Sequence, residues 1–513
     1  MSTEALLACC AATVVFVVSV IQTVVLLGST SDHPVHVFLI NAIRENRHRL
    51  FVRIPRIAND AYCSAYPLAL HWLLSFVAEK RMRIAAASIN GAANAAVVVT
   101  TYLIILPLSS SLTRPVGWGL AIVAIVFTPQ YYHISNARNS GISARPVGVA
   151  LFPIFWGLYA GFSPTDTSAL HTVGIVLVAY MIWAFNTFAT QALVLFAITW
   201  ALLWRDPWPL AFAGIGLGMF LVVQRRYAVS YVTRTLLFMR SYALYLAPRF
   251  IFERRPSIWR DLVYDIWMRM RSSRSGGILY AYNNSVVVVV LLNPLFAIAL
   301  LSALTVAAGR HASFMDQVVM VGAFVFVLTT VRPLRFLGEP ERYVELIVPF
   351  VAVAGIEALE LREMQDTAIG VVIYAVVLCG TQALLGYKVR ARTEGARGSL
   401  AELYGWIARD SEGRGAMVCL ASDNDQIVKR AMEYPWTFVR LWSADTIVAG
   451  YRIDEAISAI PYWRPGPFRE AVKQYGVTHV ILDAANPDAH GLRELAGFSE
   501  VARANQLSLL KRH

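Results

Sequence analysis

The chain has 513 residues, of which 57% are hydrophobic and 15% charged, with a formal net charge of +12 and a mean hydropathy of +0.53. Soluble globular proteins carry roughly 25% charged residues, so this balance excludes a water-soluble protein. Five scattered cysteines (Cys9, Cys10, Cys63, Cys379, Cys419) show neither zinc spacing nor a disulfide framework.

The first apolar run, 5–28, is longer than the roughly 20 residues needed to cross hydrocarbon. It lacks a basic leader and exceeds the apolar part of a signal peptide, so a retained helix is expected. About eleven membrane-spanning segments are expected in all. Their cores are 5–28, 84–106, 116–130, 144–162, 169–184, 186–204, 209–223, 285–307, 317–331, 344–358 and 367–387. The two meeting at Asn186 could also form one tight hairpin. Asn90 and Asn94 share a helix face and fit hydrogen bonding between helices. Asn283-Asn284-Ser285 fits a glycosylation acceptor but abuts a span, so it carries little weight.

Two connections, 29–83 and 224–284, are long, and such connections are often functional. The first carries eight basic residues and the second eleven arginines. After Lys388 charges become frequent and apolar runs short. Strands are expected near 417–420, 438–442 and 477–483, helices near 425–432 and 468–474, and a closing hairpin near 501–510. This alternation predicts a small α/β domain with a partly parallel sheet. The expected division is therefore a transmembrane domain, 1–389, and a soluble α/β domain, 390–513. No glycine-rich phosphate fingerprint or internal repeat is present.

An odd span count puts the long loops and the C-terminal domain on one face. Their basic residues would place that face in the cytoplasm by the positive-inside rule, but the rule weakens for long loops. A face that binds anionic lipid phosphates would be basic for another reason.

Asp32 stands just past the first run, in Ser31-Asp32-His33-Pro34-Val35-His36. As a structural residue it ends a helix at the interface. As a functional one it is a carboxylate at the membrane surface, able to take a proton from a hydroxyl nucleophile. His33 and His36 would assist it, or would bind a divalent metal with it. Arginine grips phosphate through a planar pair of donors, and three arginines stand at span edges. Arg138 and Arg145 lie in the stretch 133–146, where Arg145-Pro146 opens the fourth span. Arg342 lies in Gly338-Glu339-Pro340-Glu341-Arg342-Tyr343, ahead of a span containing Pro349. Each could equally be a surface anchor or a helix cap.

One span, an early Asp with a nearby His, and a long loop ending in Tyr66-Pro67 and His71 resemble the GT-C superfamily of integral-membrane glycosyltransferases. Arg145-Pro146, Glu341-Arg342-Tyr343 and Tyr475-Gly476-Val477 in an α/β tail are similar to its branch of dolichyl-phosphate-mannose protein mannosyltransferases and their bacterial relatives. The likeness covers the layout of the chain, with motif value in some thirty residues. His33 stands where many members carry a second acid, which leaves metal use and acceptor class open. The resemblance implies an inverting enzyme acting on a polyprenyl-phosphate sugar outside the cytoplasm, with the lipid bilayer as its setting and no nucleic-acid partner. It implies Asp32 as base and His33, His36, Arg138, Arg145, Arg342 and Tyr343 as substrate-binding residues. The alternative reading is a polyprenyl-lipid or glycolipid transporter without catalysis, which inverted repeats or charges buried within spans would favour.

Overall fold

The computed structural model describes residues 3–26, 33–50, 67–109, 112, 115–128, 141–241, 243, 285–307, 312–410, 417–421, 437–439, 472–473, 475–484 and 497–513. The helices up to the first long connection and its end are α1 (Thr3–Leu26), α2 (His33–Glu45), α3 (Ala69–Ser75) and α4 (Met82–Thr100). They continue as α5 (Pro115–Phe127), α6 (Arg145–Ala160), α7 (Ala169–Phe185), α8 (Thr187–Trp204), α9 (Trp208–Val223) and α10 (Arg225–Ser241). After residue 284 come α11 (Ser285–Leu292), α12 (Pro294–Ala307), α13 (Phe314–Thr330), α14 (Glu341–Leu346), α15 (Val348–Glu360) and α16 (Gln365–Asp410).

Among the described residues, three stretches are long and apolar enough to cross a membrane: Ala5–Val24, Glu79–Leu108 and Thr187–Trp204. Helices α5, α7, α9, α13 and the start of α16 are apolar but shorter. By length and composition the described residues give three clear crossings, or four if one bent pair counts as a span, beside the eleven expected. That pair is α11 and α12, which bend by 94° where a single span was expected over 285–307. Pro294 explains the break. Its ring cannot donate to the preceding turn and displaces the residue before it from helical geometry. The expected span 344–358 is interrupted too: α14 stops at Leu346, and Pro349 sits in the first turn of α15. Asn186 makes a one-residue break, and its side-chain oxygen caps α8 by accepting from the Ala189 amide at 2.7 Å.

The chain divides into two compact units. The first comprises Met1–Leu27, Lys80–Gln224 and Ile251–Gly386. Its core is one cluster of buried side chains that includes Phe152, Trp156, Phe196, Val319, Tyr343 and Phe350. Helices α1 and α4 pack closely within it, and the two asparagines hold them. The Asn90 side chain donates to Thr23 Oγ1 and to the Gly141 carbonyl, both at 3.0 Å, and Asn94 donates to Ser19 Oγ at 2.8 Å. Between them stands Gly91, where a β-carbon would lie 2.8 Å from the Phe16 ring and 3.1 Å from the Phe16 carbonyl oxygen. Small residues permit this approach of two membrane helices.

The second unit comprises Gly28–Glu79, Arg225–Phe250 and Tyr387–His513. Its sheet has five strands: β1 (Met417–Ala421), β2 (Thr437–Val439), β3 (His479–Asp483), β4 (Phe498–Ala504) and β5 (Leu507–Arg512). Their spatial order is β2-β1-β3-β5-β4. β1 runs parallel to both β2 and β3, while β5 is antiparallel to β3 and forms a hairpin with β4. The expected strands, partly parallel pairing and closing hairpin are all present. The expected helix at 425–432 lies outside the described residues. One face of the sheet buries Val418, Ile481 and Leu509 against Leu400, Leu403, Tyr404 and Ile407 at the end of α16. The Asp410 carboxylate there accepts from Lys511 Nζ at 2.6 Å and lies 3.4 Å from His479 Nε2.

The α1–α4 contact generates a test. Gly91→Val places methyl groups against the backbone of Phe16, and overpacking of this kind costs about 1–3 kcal/mol. Thermal unfolding of the detergent-solubilised protein should move to lower temperature, and an unchanged transition would contradict this packing.

Candidate functional site

Asp32 and Arg138 lie outside the described residues, so the geometry concerns the other expected site residues. They fall into two groups.

The first group is on α2 and α3. His33 opens α2 and is half-buried, and His36 follows one turn later, fully buried. His36 Nδ1 lies 2.8 Å from Nε2 of His71, and the two rings stack at 5.1 Å. Each imidazole can donate from one nitrogen and accept at the other, so the tautomers decide which ring donates in this contact. Burial first, and then the neighbouring His36 ring, holds His71 well below the ordinary histidine range, against a hydrogen bond at Pro67 that acts the other way. The rest of the hairpin is similarly tied. His48 Nδ1 meets Ser75 Oγ at 2.8 Å, and its ring stacks on Phe76. Arg44, at the end of α2, donates to the carbonyls of Ser75 and Val77 at 3.2 and 2.6 Å. Leu68 donates its amide to the Tyr227 hydroxyl at 2.9 Å, which fixes the start of α3. At least one arginine of the basic connection therefore serves the fold. Among the described residues no group of three or more His, Cys, Asp or Glu could hold a metal ion.

The second group lies at the start of α6 and around α14. Arg145 forms an ion pair with Glu345, 200 positions away in sequence, and both are largely buried. Arg342 pairs with Glu339, one turn earlier, and both side chains are more than a third exposed. The charges of Glu341 and Glu345 also act on Arg342, and Arg145 feels both Arg342 and Glu339. Among the described residues, two of the expected arginines thus belong to one cluster of five charged groups. Tyr343 is turned elsewhere. It is completely buried, its hydroxyl donates to the Leu337 carbonyl at 2.8 Å and accepts from Gln191 Nε2 at 2.9 Å, and its ring packs on Phe188. Gln191 also donates to the Leu337 carbonyl. This clasp fixes the turn before α14, where Gly338 adopts a φ of +116°, a conformation that L side chains resist.

Sequence reasoning missed His71 as the partner of His36, Gln191 as the partner of Tyr343, and Glu345 as the counter-charge of Arg145. Glu345 left a legible signal: it is an acid inside a run expected to span, and a charge in such a place needs a partner or a task. Nothing local marked Gln191.

In fold, the helical first unit and the small sheet of the second fit what the sequence resemblance implied. The structure is similar to the crystal structure of the oligosaccharyltransferase from Archaeoglobus fulgidus in the apo form. The TM-score is 0.50 and identity 12%, over 92% of this chain and 69% of that one. ArnT from Cupriavidus metallidurans in the apo state also matches, with a TM-score of 0.45 and 14% identity over 97% of both chains. ArnT bound to undecaprenyl phosphate matches with a TM-score of 0.42 and 13% identity, over 99% of this chain and 97% of that one. No protein-family model matches the sequence, and no curated protein matches it. Identities this low speak to the fold alone.

The histidine pair sets a pH dependence. His71 is neutral when folded and free to protonate when unfolded, so the unfolded chain binds more protons below about pH 6.5. Its contribution to stability is complete above that pH and is lost as pH falls toward the lower folded value. Melting temperatures measured from pH 7.5 to 5 should therefore fall less steeply for His71→Gln than for the wild type. Equal slopes would contradict a neutral, buried His71.

Proposed function

We propose that this chain is a membrane glycosyltransferase that moves a sugar from a polyprenyl-phosphate donor to a hydroxyl acceptor on a lipid, glycan or protein. One observation carries the reading: in a chain with the GT-C fold, Arg145 and Arg342, far apart in sequence, belong to one group of interacting charges, Arg145 paired with Glu345 and Arg342 with Glu339. Paired arginines are suited to a phosphate, since each guanidinium presents two parallel donors to its oxygens.

In the proposed reaction Asp32 takes the proton of the acceptor hydroxyl. The freed oxygen attacks the anomeric carbon from the face opposite the phosphate. The bond from that carbon to the phosphate oxygen breaks, and polyprenyl phosphate leaves with the electron pair. The product is inverted at the anomeric centre. Arg138, Arg145 and Arg342 would neutralise the charge that develops on the leaving phosphate. Tyr343 would act by holding the turn that presents Arg342. His33 and His36 follow Asp32 directly on α2, and the His36–His71 contact would steady that helix. The proposal keeps residues 1–389 as the catalytic membrane domain and 390–513 as a soluble domain, with the active face outside the cytoplasm.

Two experiments test the roles separately. Asp32→Asn keeps the shape of the side chain and removes the proton acceptor, so turnover should fall by about 10²–10⁴-fold. Transfer at the wild-type rate would sink the assignment of the base. Arg342→Ala should weaken binding of undecaprenyl phosphate, measured by titration in nanodiscs, by about 1.5–3 kcal/mol, the usual worth of a hydrogen bond to a charged group. Unchanged affinity would remove Arg342 from the donor site.

A further inference from the structure

The stretch of chain that leads into Arg145 is buried before its helix begins. Residues 141–144 are all buried, and buried carbonyls need partners. Two of those partners are asparagine side chains from distant elements. Asn90, in α4, donates to the Gly141 carbonyl at 3.0 Å. Asn186, at the break between α7 and α8, donates to the Ala144 carbonyl at 3.0 Å. Ser143 Oγ accepts from the Arg145 amide at 3.1 Å. The backbone is thus gripped at both ends of the segment that opens α6.

Both asparagines are themselves fixed. Asn90 is fully buried, and its amide also donates to Thr23 Oγ1, in the last turn of α1, at 3.0 Å. Asn186 is buried as well, and its oxygen accepts from the Ala189 amide at the start of α8. Gly148 completes the fit. A β-carbon there would lie 2.6 Å from both Cβ and Cγ of Asn186, so a side chain at that position would push the asparagine away from the first turn of α6.

Hydrogen bonds between membrane helices add little stability, since the separated helices also find partners. They are directional, and direction is what the ion pair beyond them needs. Two charges taken out of water hold together only in tight geometry. Arg145 and Glu345 meet in such a place, with side chains 16% and 3% exposed. Glu345 sits on the same short helix as Arg342. A shift of the backbone at 141–145 would therefore pass through the ion pair to α14.

We propose that Asn90 and Asn186 are positioning residues for the donor phosphate. By clamping the carbonyls of Gly141 and Ala144 they hold Arg145 where it meets Glu345, and so hold α14 and the Arg342 that it carries. Neither amide needs to touch the lipid. The proposal rests on the reading of Arg342 as a donor-phosphate residue. Its effect is selective. A misplaced guanidinium loses its two-pronged match to phosphate oxygens, whereas an uncharged polyprenyl chain takes no part in that match.

The test is binding of undecaprenyl phosphate and of undecaprenol to the full chain in nanodiscs, at a temperature where the variants compared are folded. Asn186→Ser keeps an oxygen suited to capping α8 and is too short to reach Ala144. Asn90→Ala releases Gly141. Ser19→Ala is the control: it removes the acceptor of Asn94 in the neighbouring α1–α4 contact and leaves the start of α6 alone. Both asparagine variants should bind undecaprenyl phosphate about two- to ten-fold more weakly, the span of one lost hydrogen bond, with undecaprenol unchanged. Ser19→Ala should bind both lipids as the wild type does. Should Asn90→Ala fail to fold, Asn186→Ser decides alone. Equal losses for both lipids, or a loss in Ser19→Ala as large, would mean a loosened bundle and overturn the positioning role. Full affinity in Asn186→Ser, with Arg342→Ala still weakened, overturns it and leaves the donor site standing. Full affinity in Arg342→Ala removes the donor site itself.

Discussion

The buried ion pair between Arg145 and Glu345 is the constraint on which the candidate site depends. It ties the first turn of α6 to α14, two elements that the chain brings together across 200 residues. Taking two charges out of water costs several kcal/mol per ion, and their attraction offsets this only when the geometry is tight. A well-packed apolar pair at these positions would serve stability as well or better. The value of the charges therefore lies in what they position. With Glu345 fixed against Arg145, α14 is held in place, and Arg342 is carried on that helix within the field of the same carboxylate.

The rest of α14 is over-determined in the same direction. Tyr343 and Gln191 converge on one carbonyl, that of Leu337, and Gly338 supplies the positive φ that lets the chain turn into the helix. Pro349, which has no amide hydrogen, then stands in the first turn of α15, where a donor would lack an intrahelical partner. The result is a short, buried helix with an exposed cation on one side. At the other end of α6, about 21 Å from Arg145 by helical rise, the Tyr159 hydroxyl and the Trp200 indole both donate to Asp206 within an aromatic cluster. That polar knot has its donors matched to its acceptor, and it fits a role in closing the bundle. In hydrocarbon, a polar side chain without a partner is costly. Polar groups inside such a bundle therefore come in sets, as Asn90 with Thr23 and Asn94 with Ser19 also illustrate.

Much of the fold was legible because its signals are local. The strands at 417–421 and 479–483 declare themselves by short apolar runs between charged segments, and the final hairpin by the run at 501–510. Asn90 and Asn94 were legible because two amides one turn apart in an apolar helix must look across to a neighbour. The count of crossings was less legible. Hydropathy sees the run 285–307 as continuous, whereas Pro294 bends the backbone by 94° without making the run less apolar. The site was legible by half. Arg145 and Arg342 were visible as basic residues at span edges, but their meeting depends on tertiary contacts that no spacing encodes. The same holds for His36 and His71, which are 35 positions apart and meet only through the packing of α2 on α3.

The central claim is that the charged cluster around Arg145 and Arg342 serves transfer of a sugar rather than movement of a lipid. The most direct measurement supplies proteoliposomes of the purified chain with a polyprenyl-phosphate sugar labelled in the sugar, together with a hydroxyl acceptor, and follows both the label and the free lipid. A glycosyltransferase converts donor and acceptor in step: labelled product and free polyprenyl phosphate accumulate in equal amounts. Labelled lipid that appears intact in the opposite leaflet, with no free polyprenyl phosphate, would contradict the claim and identify a transporter.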